Sequence, residues 1–435
     1  MKGFGNNAVI REVSFENRHL IIVCSNFPYG FGEPFLEVEL TYLKQHFQKI
    51  TICTTGKIKD LKQFEVTETV TLVELSPSIS FVEKIASVLR LFFDSEVRDE
   101  LQVIAKDFHG TLSFGKIKTL LVSRLRGLKI KSQILARVEI ANTDQLFLYS
   151  YWTDDAALAI SYLKKEISTA TAFCRLHGWD LYFERSRYHY LPFRKTIFNG
   201  LDAIFAISEN GRNYLLSHFS SIINVGRIYQ SRLGIRTVDR LAPHERNFRR
   251  FKLISCSNLI PIKRVNLIVE ALSHVEALEI DWTHFGNGIE LESLTQLCEK
   301  KLGSKENIQF QFMGRVPNWK VLEYYSDHMI DLFISLSRYD GIPVSIMEAM
   351  SFGIPAIATD VGGVSEIVIN GKTGFLLDQE VSPKDVAEVI TDIAQMNTDD
   401  YNKLRLEAKN FWGTFYSADI NYPEFCAQIL SLSER

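Results

Sequence analysis

Asp340 and Glu348 are two carboxylates eight positions apart, and Gly341-Ile342-Pro343-Val344 follows the first of them. Gly341 and Pro343 make a tight turn and start a helix. Val344 and Ser345 then open its first turn with N–H groups that have no intrahelical acceptor. The positive end of the helix dipole favours a phosphate at that place. Glu348 lies one turn in, and helical side chains lean back toward the N-terminus, so Asp340 and Glu348 can face one pocket. Carboxylates suit sugar or ribose hydroxyls, because each oxygen can accept two hydrogen bonds. Taken alone, Glu348 could merely complement the dipole and Asp340 merely cap the helix.

The same stretch continues through Gly353-Ile354-Pro355 to a second glycine turn, Asp360-Val361-Gly362-Gly363, which leads to Glu366. Glycines at such junctions permit positive φ and close approach of backbone to a ligand, although tight turns need no ligand to explain them. Cations stand elsewhere, in Ser257-Asn258-Leu259-Ile260-Pro261-Ile262-Lys263-Arg264. Two close positive charges at a strand end can stabilise a diphosphate leaving group. The plain alternative is an exposed basic pair at a helix start. Finally, His177 follows an apolar run within Arg175-Leu176-His177-Gly178-Trp179-Asp180. A histidine there is commonly a hydrogen-bonded structural residue.

These residues need elements to hold them. Short β-branched and aromatic runs occur at 19–25, 49–55, 145–150, 171–176 and 203–208, and a second series at 251–257, 280–286, 308–314, 331–337 and 355–360. Each precedes a stretch with helical periodicity, which predicts parallel sheets covered on both faces. The polar and basic stretch 235–251 separates the two series. Two doubly wound domains are therefore expected, 1–235 and 236–410. In open α/β sheets, ligands bind at the carboxyl ends of strands, where all the residues above fall.

Composition bounds the function. A chain of 435 residues exceeds one usual hydrophobic core, and 46% hydrophobic with 23% charged residues is globular. A net charge of −3 gives no global field for nucleic acid. No apolar run reaches the roughly 18 residues of a spanning helix, and the first residues lack a signal-peptide core. The six cysteines show neither disulfide nor metal spacing. A soluble, cytoplasmic protein without a metal is expected. One segment breaks the α/β rhythm: 116–137 carries Lys116, Lys118, Arg124, Arg126, Lys129, Lys131 and Arg137 with apolar residues interleaved. It reads either as a helix pair with a solvated basic face or as a peripheral patch for anionic lipid.

As a constellation, D-G-I-P-V-S-I-M-E-A-M-S-F-G-I-P-A-I-A-T-D-V-G-G-V-S-E-I-V (340–368) resembles the donor-site signature of retaining family-4 glycosyltransferases with the GT-B fold. That signature is E-x7-E, then G-x-P, a strand and G-G-x-x-E. Asp340 stands where the first Glu is expected and Glu348 matches the second. The segment 257–264 is similar to the family's G-R-L…K, with Lys263 matching and Asn258 in place of the Arg. HFGNGIELESL (284–294), with Gly286, resembles the glycine-bounded turn after the next strand, and FMGRVPNWKVLEYYSD (312–327) the next strand-turn-helix. SNFPYGFGEPFLEVEL (25–40) looks like the glycine loop that closes on the donor, with Gly30 and Gly32 its flexible members and Glu33 and Glu37 at the following helix. His177 matches a family His facing the transferred sugar. The forms R-x-H-G-x-D, F-P-Y-G-x-G-E and Y-S-Y-W are similar to the branch that builds bacterial surface polysaccharides.

The resemblance spans about 19–430 and implies two Rossmann-like domains facing across a cleft, with 411–435 as a helix that crosses back to the first domain. It implies retaining transfer from a nucleoside-diphosphate sugar to a hydroxyl of a glycan or lipid-linked glycan in capsule, exopolysaccharide or O-antigen assembly. No cofactor or metal is implied. His177, Asp340, Glu348 and Lys263 would carry the reaction. Gly30, Gly32, Asn258, Lys263, Arg264, Gly286, Gly341, Ile342, Pro343, Val344 and Glu348 would bind the donor. A lipid-linked acceptor implies peripheral contact with an anionic membrane. The alternatives are a non-catalytic transferase-like binding protein and a sugar-nucleotide epimerase of the same fold.

Overall fold

The near-continuous apolar runs become strands of two parallel sheets, interior except for the run at 308–314, which forms an edge. The computed structural model describes residues 17–29, 33–56, 69–80, 82–83, 94–107, 113–141, 145–236, 241–242 and 250–434. The first sheet contains β1 (Arg18–Cys24), β2 (Lys49–Thr54), β3 (Val70–Glu74), β4 (Gln145–Ser150), β5 (Thr171–Leu176), β6 (Ala203–Ala206) and β7 (Ile228–Gln230). Its order is β3-β2-β1-β4-β5-β6-β7, and every pairing is parallel. The second contains β8 (Phe251–Cys256), β9 (Ile280–Phe285), β10 (Ile308–Phe312), β11 (Leu332–Ser335), β12 (Ala356–Thr359) and β13 (Gly374–Leu377). Its order is β10-β9-β8-β11-β12-β13, again all parallel.

In both sheets the strand order reverses beside the first strand, between β1 and β4 and between β8 and β11. Loops leave such a switch point in opposite directions and open a crevice at the carboxyl edge. The turns holding Lys263 and Asp340 follow β8 and β11, so they flank the crevice of the second sheet. Those holding Glu33 and Trp152 follow β1 and β4 in the first.

Apolar clusters cover both faces of each sheet. The closing segment is two helices. Thr398–Phe415 packs Ala408 and Trp412 on the second domain, and Ala418–Ser431 returns to bury Phe425, Cys426 and Ile429 against Leu20 and Phe147 of the first. Burying a phenyl ring fully contributes about 1.5–3 kcal/mol, and Phe425 is wholly buried. The chain crosses between domains twice, at adjacent places. Ile235 N–H donates to the Tyr416 carbonyl at 2.9 Å, and Ala418 N–H donates to the Ile235 carbonyl at 2.9 Å.

The basic segment forms one helix, Phe114–Arg137, rather than a helix pair. Leu120, Ile130 and Ile134 are buried on its inner face. Arg124 pairs with Asp94 and Glu96, Arg126 with Asp155, Lys129 with Glu83 and Lys131 with Glu166. Arg137 donates to the Glu74 carbonyl at 2.6 Å, and Lys116 is buried. The stripe is therefore largely neutralised by its own fold. Among the described residues no helix is long and apolar enough to cross a membrane.

Candidate active site at the interdomain cleft

After β8 the chain makes one tight turn, Pro261–Lys263, before the helix Val265–Ser273. Lys263 emerges from it and Asp340 from the loop after β11. Lys263 Nζ donates to Asp340 Oδ2 at 2.5 Å. The two side chains are 22% and 14% exposed, so the pair is shielded but open to a ligand. The Arg338 N–H donates to the Ile262 carbonyl at 2.7 Å and ties the two turns together.

Arg264 goes elsewhere. Its φ is 46°, and its guanidinium donates to the carbonyls of Leu336 at 2.7 Å, Gln379 at 2.7 Å and Ser337 at 3.4 Å. The sequence placed it as a second cation on the diphosphate. Its guanidinium instead braces the end of β11 against the loop after β13, and burial lowers its pKa. Asn258 is exposed on the same loop. Gly286, at φ +143°, lets the loop after β9 press on this turn, since a Cβ there would lie 1.8 Å from the Ser257 carbonyl oxygen.

Pro343 caps the helix Val344–Ser351, with its carbonyl accepting the Ile346 N–H at 3.0 Å. Ile342 is buried before it. Glu348, one turn in, is only 5% exposed. Asn318 Nδ2 donates to its Oε1 at 2.7 Å. Burial pushes the Glu348 carboxyl up to about 7, with the Asn318 amide opposing. Asn318 opens the helix Asn318–Asp327 after Pro317, and nothing in its local sequence marks this role beyond its place in the family-like strand-turn-helix 312–327. Gly362, at φ +58°, curls over the donor-side turn so closely that a Cβ would sit 1.8 Å from the Asp340 carbonyl oxygen. The Gly363 N–H then donates to the Gly341 carbonyl at 2.7 Å.

The opposite wall belongs to the first domain. His177 follows β5, its backbone N–H held by Asp180 Oδ1 at 2.8 Å. Its ring lies 4.3 Å from that of Trp152 and 5.0 Å from that of Tyr151 between centroids. Both ring nitrogens are buried without a hydrogen-bond partner. Burial, with Arg175 beneath, holds the imidazole pKa well below its ordinary value, so it is neutral at pH 7. Trp152 Nε1 donates to the Glu33 carboxylate. That carboxylate also accepts the backbone N–H groups of Ser25 at 2.8 Å, Asn26 at 2.6 Å and Phe27 at 2.7 Å. Glu33 thus fixes the start of the glycine loop and orients Trp152 against His177. Gly30 and Gly32 lie outside the described residues.

The two walls meet. A side chain at Gly341 would come within 3.3 Å of the Gly178 backbone. Tyr182 and Tyr339 pack edge to face at 5.1 Å. The neutral His177, beside Gly178, thus stands next to the Gly341 turn of the other domain, which lies between Asp340, paired with Lys263, and the helix that carries buried Glu348. Such a set can bind an anionic diphosphate, accept hydroxyl hydrogen bonds and orient a sugar between the walls. Among the described residues no group of three or more His, Cys, Asp or Glu side chains is placed to hold a metal ion.

Residues 241–411 match the family described as glycosyl transferases group 1. The chain is 24% identical over 212 residues to the GtfA subunit of a UDP-N-acetylglucosamine–peptide N-acetylglucosaminyltransferase of Streptococcus agalactiae, covering 48% of this chain and 40% of that protein. It is 30% identical over 165 residues to the O-antigen biosynthesis glycosyltransferase WbnH of Escherichia coli, covering 38% and 43%. The chain thus spans less than half the length of these relatives. The crystal structure of Anabaena HepE in complex with UDP superposes with a TM-score of 0.63 at 14% identity, covering 95% of this chain and all of that one. The chain thus has the two-domain GT-B fold, and its second domain carries the match to glycosyl transferases group 1.

Proposed function

We propose that this protein transfers a sugar, with retention and without a metal ion, from a nucleoside-diphosphate sugar to a hydroxyl of a glycan or lipid-linked glycan in bacterial surface polysaccharide assembly. The observation that carries the reading is the convergence of Lys263, Asp340, the Val344 helix start and Glu348 at one switch point, facing a neutral His177. The diphosphate would lie over Lys263 and the helix N-terminus, with Glu348 accepting from ribose hydroxyls. Asp340 and the backbone at Gly341 would orient the sugar, and His177 would meet its hydroxyls from the other wall.

Breaking the bond from the anomeric carbon to the diphosphate places negative charge on the leaving oxygen. A fixed cation and helix terminus stabilise that charge more in the transition state than in the ground state. The acceptor oxygen would bond to the anomeric carbon on the same face and pass its proton to the departing diphosphate. The similarity to an O-antigen transferase supports the polysaccharide setting, and the UDP held by the similarly folded HepE supports a nucleotide donor. The helix Phe114–Arg137 adds little to membrane contact, because most of its charges are already paired.

The test is turnover with a panel of UDP-, GDP-, ADP- and dTDP-sugars and lipid-linked acceptors, with and without EDTA, reading product anomeric configuration by proton NMR. Retained configuration with EDTA-insensitive turnover is expected. Inversion, or activity lost to EDTA and restored by manganese, overturns the corresponding part of the reading.

A further inference from the structure

Glu366 reaches across the cleft. Its carboxylate accepts the backbone N–H of Glu209 at 2.9 Å and of Asn210 at 2.7 Å, both in the first turn of the helix Glu209–Phe219 of the first domain. The third N–H of that turn, from Gly211, is satisfied within the domain by the Ser208 hydroxyl at 2.9 Å. The cap of this helix is therefore completed by the other domain. A carboxylate on two N–H groups at a positive helix end is among the stronger neutral-donor contacts.

The rest of Glu366 is tied to two further places. Its backbone carbonyl accepts the Tyr416 hydroxyl at 3.1 Å, and the Tyr416 carbonyl accepts the Ile235 N–H where the chain crosses between domains. Its own N–H donates to the Gly363 carbonyl at 3.1 Å, and Gly363 is bonded to the Gly341 carbonyl. On the far side, the Tyr182 hydroxyl donates to Asn210 Oδ1 at 2.7 Å, while its ring packs on Tyr339, next to Asp340. One residue thus joins the crossing point, the turn that carries Asp340 and Gly341, and a helix of the opposite wall.

We propose that Glu366 is a positioning residue that sets the opening between the domains and couples seating of the diphosphate turn to the approach of His177. This rests on the function proposed above only for what is seated there. The contact itself is independent of it.

The experiment is small-angle scattering of the full chain together with calorimetric UDP binding and steady-state turnover, for wild type, Glu366→Ala, Glu366→Gln and Glu209→Pro. The last removes one donor from the other side of the contact, at a first-turn position where proline is favoured. Glu366→Ala should have a larger radius of gyration and lose about tenfold or more in kcat, as expected when charge-assisted bonds are lost. Its UDP affinity should change less than about threefold, because Lys263, Glu348 and the Val344 helix start are all in the second domain. Glu366→Gln and Glu209→Pro should open to a lesser degree. Scattering from all three variants that superimposes on wild type overturns the proposal, as does an opened Glu366→Ala with wild-type kcat. If wild type neither binds UDP nor turns over, the function reading falls while the scattering arm still decides the role of Glu366.

Discussion

Lys263 Nζ lies 2.5 Å from Asp340 Oδ2, so this cation of the donor-side switch point is held by a carboxylate of the neighbouring turn. A diphosphate must share or displace that partner. The two substitutions should therefore act in opposite senses on nucleotide binding. Lys263→Ala should weaken UDP binding by roughly tenfold or more, the scale of one lost hydrogen bond to a charged group. Asp340→Asn should leave UDP affinity equal or tighter while lowering transfer, because it frees the ammonium but alters the sugar contact. Titration calorimetry with UDP decides this, and parallel losses in both variants would contradict the shared arrangement.

Glu348 gives a pH signature. Its carboxyl has a folded-state pKa pushed up to about 7, against an ordinary value of 4.5. The folded protein therefore binds more protons than the unfolded chain between these values, and stability falls as pH rises through that window. The contribution is fully present below pH 4.5 and lost above pH 7. Glu348→Gln removes the titration, so it should gain on wild type by up to about 3 kcal/mol between pH 4.5 and pH 8. Urea midpoints at the two pH values measure the difference. A gap that stays constant with pH would place Glu348 in a more polar setting.

Trp152 should matter through its indole nitrogen rather than its ring area. Trp152→Phe keeps an aromatic face on His177 but leaves the buried Glu33 carboxylate short of one donor. A loss of about 1–3 kcal/mol is expected, with an unchanged urea m-value. Retained stability would show that the three backbone donors of 25–27 suffice for Glu33.

Among the described residues ten of the thirteen strands were legible, nine of them because they are interior and largely apolar, as in the fully buried TAFCRL of β5. The strands β3, β7 and β13 were not. They lie at sheet edges, are three to five residues long and half-buried, so at most a short apolar run, such as Phe375-Leu376-Leu377 of β13, marks them. The domain-spanning helix Ala418–Ser431 was expected from the family resemblance, as part of one helix over 411–435. In the site, Glu348, Lys263 and His177 stood out by position after strands and glycine turns. Arg264 did not separate from Lys263, because only the tertiary fold turns its guanidinium onto three carbonyls. Asn318, the Glu33–Trp152 bond and the Glu366 contact join residues 30, 119 and 157 positions apart. Pairings at such separations leave no local pattern.

The most direct measurement is a thermal-unfolding panel of UDP, GDP, ADP and dTDP against wild type, Lys263→Ala and Glu348→Ala. A nucleotide bound only by the folded protein at 100 times its dissociation constant stabilises by about 2.7 kcal/mol. At least one nucleoside diphosphate should raise the wild-type midpoint, and the rise should shrink or vanish in both variants while their ligand-free midpoints remain those of folded proteins. No shift with any of the four nucleotides, or an equal shift in all three proteins, would contradict a nucleotide-sugar site built on Lys263 and Glu348.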